Sequence, residues 1–228
     1  MTRLPDAMLI DALAADTRPV RPLAPPLKRA AATLAAVALV GAAAVLAAAN
    51  LREFRSLHAG REVLLALEMA AALATGVLAI TAAFFASVPG RSRRCSLAPL
   101  PFLAAWLLLS GVGCYRELVA GGAGTGSFSG HPEGNSQHCV LFILGVSALL
   151  APPIIWRLGR AAPLEPLSVA LLGGLGIAAL SAFLLQFFHP FTVTFLDLGM
   201  HLIAVLLVIG VAGVLNRRTL VGSQKAPK

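Results

Sequence analysis

Six apolar runs alternate with short polar segments along the chain, over residues 30–49, 63–88, 97–115, 138–156, 167–188 and 192–215. Each is long enough, as a helix, to cross a hydrocarbon core of about 30 Å. The pattern predicts an all-α polytopic membrane protein with six transmembrane helices. The first run is the weakest because it is mostly alanine, and Ala47-Ala48-Ala49 resembles a signal-peptide cleavage site. A long segment with several prolines precedes it, however, so an uncleaved first span is expected. Small residues recur within the runs, from Ala72 to Gly76 and in Gly173-Gly174-Leu175-Gly176 with Ala178. They permit close helix approach inside one bundle.

Ahead of the first run lies a polar stretch, residues 1–26. A short helix is expected over 1–16, containing Leu4, Met8, Leu9, Ile10 and Leu13. Its acids Asp6, Asp11 and Asp16 fall about 140° apart around a helix of 3.6 residues per turn. That spread argues against a membrane-surface helix with one clean apolar face. Pro19, Pro22, Pro25 and Pro26 then predict an extended, semi-rigid spacer. The chain thus divides into an amino-terminal segment (1–29), a membrane domain (30–215) and a short tail (216–228).

Composition supports this division. Hydrophobic residues make up 58% of the chain and charged residues 12%, about half the charge that a soluble domain carries. The net charge of +8 does not mark a nucleic-acid surface, because the basic residues punctuate the apolar runs. With the amino terminus cytoplasmic, fourteen of the basic residues fall inside and only Arg52, Arg55, Arg61 and Arg116 outside. The asymmetry predicts both termini in the cytoplasm.

Candidate chemistry gathers on the opposite side. Cys114 and Cys139 end the third run and begin the fourth, flanking a glycine-rich loop at 121–134. If those two helices are neighbours, a constitutive disulfide is one outcome. A thiol pair that answers oxidants or soft metal ions is the other. Cys139 starts a helix, where the dipole favours thiolate, and His138 adjoins it. Cys114, Cys139 and His138 are therefore the candidate metal ligands. Glu62, Glu68, His131, Glu133, His189, Asp197 and His201 lie at the same expected level. No zinc-finger or HExxH spacing occurs among them, and no resident cofactor is expected beyond transient heavy-metal binding. Cys95 falls in an expected cytoplasmic loop, where thiols stay reduced. Catalytic signatures are missing, with no GxSxG, P-loop or dinucleotide fingerprint, so no enzyme is expected.

The chain resembles the NrsF-type six-span anti-sigma factors. The resemblance is carried by residues 9–16 (LIDALAAD) with 19–26 (PVRPLAPP), by Ser87-Val88-Pro89-Gly90-Arg91-Ser92, Gly113-Cys114 and His138-Cys139-Val140, and by His189-Pro190. It implies a negative regulator that holds an extracytoplasmic-function sigma factor at the bacterial inner membrane, without contacting nucleic acid itself. It also implies that Cys114 and Cys139 are paired sensors of heavy-metal or oxidative stress. The residues agree with such a partner: Leu9, Ile10, Asp11, Leu13 and Asp16 would offer acids and apolar groups to the basic surface of a DNA-binding protein. A small channel or transporter for metal ions, with a thiol- and histidine-lined mouth, is the competing class.

Overall fold

The computed structural model describes residues 6–15, 22–48, 62–90, 93–121, 135–161, 163 and 165–188, and isolated positions of the last apolar run. The expected short amino-terminal helix forms as α1 (Asp6–Ala15). Residues 22–25 are non-helical and exposed, and Pro26 opens α2 (Pro26–Ala48). Proline suits a first helical position because its missing N–H would lack a helical partner there anyway. The helix therefore starts four residues before the apolar run at 30–49. Then come α3 (Glu62–Ala86), the 3₁₀ turn η1 (Arg93–Leu97), α4 (Leu100–Gly121), α5 (Asn135–Gly159) and α6 (Pro166–Leu185).

Five of these, α2 to α6, carry segments long and apolar enough to cross a membrane, and no strand occurs among the described residues. Of the sixth run, Ile203, Leu206, Leu207, Gly210, Val211 and Val214 are helical. Their spacing places them on one helix face. The remainder of 192–215 and the tail at 216–228 lie outside the described residues.

Burial identifies the central elements. Two-thirds (67%) of the apolar window of α6 is buried, against 11% of the window that covers η1 and most of α4. The most extensive pairing is α3 with α6; α4 packs on α3, α5 on α6, and α2 on α3. The reason lies in two glycines. A Cβ added to Gly76 of α3 would stand 2.7 Å from Leu180 Cγ, and one on Gly176 of α6 would stand 2.7 Å from Ile80 Cγ1 and 3.0 Å from its backbone nitrogen. Each helix thus offers a glycine to the branched side chain four residues along its partner. Gly76 faces Leu180 while Ile80 faces Gly176, so the two helices run antiparallel.

Hydroxyls are settled within or between helices. Thr75 and Thr81 donate to the carbonyls of Ala71 and Val77 in their own helix, at 2.8 and 2.7 Å. Ser147 of α5 and Ser181 of α6 share a buried hydrogen bond of 3.1 Å. Ser110 of α4 donates to Glu68 of α3 at 2.5 Å. Such bonds matter in a bundle because an unpaired polar group in hydrocarbon is costly.

The Ser87-Val88-Pro89-Gly90 turn ends α3 for local reasons. The buried Ser87 hydroxyl donates to the Phe84 carbonyl at 2.7 Å. Pro89 disfavours helical backbone at Val88, and Gly90 has φ of 77°, which side chains with a Cβ rarely adopt.

The Gly176→Val variant is expected to lose about 1–3 kcal/mol through overpacking against Ile80, seen as a lower melting temperature in detergent. Gly145→Val is the control, since nothing stands within 4 Å of a Cβ there. Equal melting temperatures for the two variants would refute a tight α3–α6 contact.

Candidate functional site: an arginine clasp at the basic end of the bundle

One end of the bundle collects the start of α2, the end of α3, and the end of α5. Arg29, in the first turn of α2, donates through Nη2 to the carbonyl of Arg157 in the last turn of α5. Arg157 returns a bond from Nη1 to Thr33 Oγ1, at 3.0 Å. Thr33 in turn donates to the carbonyl of Arg29, at 2.8 Å. Three residues thus close a loop of hydrogen bonds across two helices whose members lie more than 120 positions apart.

The electrostatics favour this arrangement. Helix carbonyls in a last turn lack intrahelical donors and carry the negative end of the dipole, so a guanidinium is a good cap for α5. The Arg29 guanidinium also lies over the Phe84 ring, 5.1 Å from its centroid, which compensates part of its lost hydration. Its Nη1 is buried with no hydrogen-bond partner among the described residues. Arg160, just past α5, stacks on Trp156 at 4.4 Å. In the sequence, Arg29 and Arg157 are two of the fourteen basic residues of the expected cytoplasmic side, and Thr33 belongs to no motif. One signal was available: Thr33 is the single polar side chain in residues 30–49.

Cys114 lies in the second half of α4 and His138-Cys139 in the first turns of α5, but the side chains of all three fall outside the described residues. Their helices do not form one of the extensive packing pairs; α4 leans on α3, whereas α5 leans on α6 and touches α2. The glycine loop, His131, Glu133, His189, Asp197 and His201 also lie outside the described residues. Glu62 and Glu68 are described, on α3. Among the described residues, no three His, Cys, Asp or Glu side chains converge as a metal site. Cys95 is exposed on η1. On α1, Met8, Ile10 and Asp11 are exposed, the side chains of Leu9 and Leu13 are not described, and Asp16 lies beyond the described helix.

A bundle of membrane-length helices, tied at its basic end and preceded by a short separate helix, defines a membrane protein whose amino-terminal segment is a candidate for contact outside the bilayer. The family described as negative regulator of sigma F, NrsF, matches residues 13–221. The chain belongs to that family. No curated protein matches it, and no solved structure does.

A double-mutant cycle tests the clasp. Thr33→Val and Arg157→Leu are each expected to destabilise the detergent-solubilised protein, with a coupling of about 1.5–3 kcal/mol, the range for a hydrogen bond to a charged group. Additive effects would mean that the two side chains do not act together.

Proposed function

We propose that the chain is a transmembrane anti-sigma factor that holds an extracytoplasmic-function sigma factor at the bacterial inner membrane. Both termini face the cytoplasm, and Cys114 and Cys139 face the periplasm, where heavy metal or oxidant reaches them. Family membership supports negative regulation of a sigma factor.

The observation that carries the finer proposal is the course of α5. This helix bears Cys139 as its fifth residue and Arg157 in its last turn, about 27 Å apart along the axis at 1.5 Å per residue. At that far end it is clasped to Arg29 and Thr33, directly after the amino-terminal segment. Chemistry at Cys139 thus has a continuous helix leading to the base of the sigma-binding segment. Toward its last third the helix contains Pro152 and Pro153. Two successive prolines remove two backbone donors, which makes this the point where α5 bends most readily. A thiol reaction that tilts the first half of α5 would load the clasp, shift α2 and loosen the grip of α1.

On the cytoplasmic side, α1 would dock the sigma factor through Leu9, Ile10, Asp11, Leu13 and Asp16. The exposure of Ile10 and Asp11 supports this, and Met8 extends the same apolar offer. No contact with nucleic acid is needed, because a sequestered sigma factor cannot reach polymerase. A metal channel is less well supported. The cavity between α5 and α6 has a volume of only about 10 Å³, and Ile154, Leu158, Val169 and Ile177 line it. That is an apolar void of roughly one water.

Replacing Cys114 and Cys139 by serine is expected to leave repression intact and abolish induction of sigma-dependent transcription by cadmium or peroxide. Retained induction would refute the sensor role. Arg157→Leu is expected to raise transcription without inducer while the protein still reaches the membrane. If repression stays at the wild-type level, the clasp is not the route. Deleting residues 1–16 should abolish co-purification of the sigma factor, and retention of the partner would exclude α1 as the docking segment.

A further inference from the structure

The outer face of α5 ends in a charged corner that the regulatory scheme uses only through Arg157 of the clasp. Leu149, Pro152, Pro153 and Trp156 are exposed. Their spacing sets them in one stripe along the helix, and Arg160 continues it one turn further. Leu149 and Trp156 are 65% and 60% exposed, the surface expected of a lipid-facing stripe. Trp156 sits three residues from the end of α5, at the edge of the span Leu141–Gly159, the level where tryptophan is enriched at membrane interfaces. Arg160 lies over its ring.

Positive charge accumulates at this corner. Arg160 is exposed and close enough to Arg29 for their like charges to repel. Arg157 is half-buried in the clasp, and Lys28 is exposed beside Arg29 in the first turn of α2. Guanidinium groups brought together at a membrane edge repel one another, and an anion among them relieves that repulsion. Basic pockets between spans at the interface suit acidic lipid headgroups, and each cation near the surface contributes measurably to that attraction.

We infer that Arg160, with Lys28 and Arg157, binds the phosphate headgroup of an anionic phospholipid whose acyl chain lies along Leu149, Pro153 and Trp156. The stripe supplies the apolar half of the ligand site and the cationic corner the polar half. Cation and apolar stripe meet at Trp156, so a single amphiphile satisfies both. The amino-terminal segment of this chain brings Asp6, Asp11 and Asp16 with exposed Met8 and Ile10, but Arg3, Arg18 and Arg21 balance its acids and it has no acyl chain to follow the stripe, so it is the less fitting occupant.

The full-length W106F variant leaves Trp156 as the only tryptophan. It is reconstituted in phosphatidylcholine vesicles that contain a minor fraction of brominated phosphatidylglycerol or, in parallel, brominated phosphatidylcholine. Quenching of Trp156 should be stronger with the brominated anionic lipid. R160Q should lower the relative association constant for phosphatidylglycerol over phosphatidylcholine about fivefold, while R160K keeps it. Equal quenching by both lipids, or an unchanged preference in R160Q, would overturn the proposal. Loss of the preference on adding millimolar inorganic phosphate would assign the site to free phosphate instead. A preference that emerges only after deletion of residues 1–16 would assign it to the chain's own aspartate-bearing segment. No sigma factor is present in the assay, so its failure leaves the regulatory proposal untouched.

Discussion

The close approach of α3 and α6 is the contact on which the rest of the bundle is hung. Glycine at 76 and 176 removes the two side chains that would hold the helices apart, and Leu180 and Ile80 fill the space. In a bilayer, lipid tails are as apolar as leucine, so helix association depends on close packing more than on escape from water. With α3 and α6 joined, α4 rests on one and α5 on the other. The two cysteine-bearing helices are thereby assigned to different partners.

The clasp solves a problem that the membrane poses. Arg29 and Arg157 belong to segments of membrane-crossing length, where an unpaired guanidinium is expensive. A helix-end carbonyl, a hydroxyl and an aromatic face together take up much of that cost. Among the described residues, the same contacts tie the start of α2 to the end of α5. The double proline Pro152-Pro153 lies two turns or less from this attachment on α5. The polar pairs Glu68–Ser110 and Ser147–Ser181 hold other helix pairs at other depths, which leaves the basic end as the place where α2 and α5 are joined.

Much of the architecture was legible in the chain. Apolar runs gave the spans α2 to α6 to within a few residues at most ends, because a bilayer imposes a minimum length that few other constraints imitate. The small residues at Gly76 and Gly176 were readable as points of close approach, whereas Ser87-Val88-Pro89-Gly90 stood out only as a motif of the family resemblance and forms the turn that ends α3. α4 exceeds its expected run, ending at Gly121 instead of 115. Arg116-Glu117-Leu118 continues the helix as good helix formers past the point where hydropathy falls. Hydropathy marks the membrane, and the helix can outlast it.

What the sequence by itself determined is therefore local or one-dimensional: the length of each helix, its polarity, the positions of turns, and the family resemblance carried by short motifs. Only the tertiary structure decided which helix meets which, and so which polar residues act together. Arg29, Thr33 and Arg157 form one site although α3, η1 and α4 intervene between them, and nothing in their spacing announces it. The physical reason is that a hydrogen bond acts over about 3 Å in space, whereas periodicity in a sequence reports only the face of its own helix.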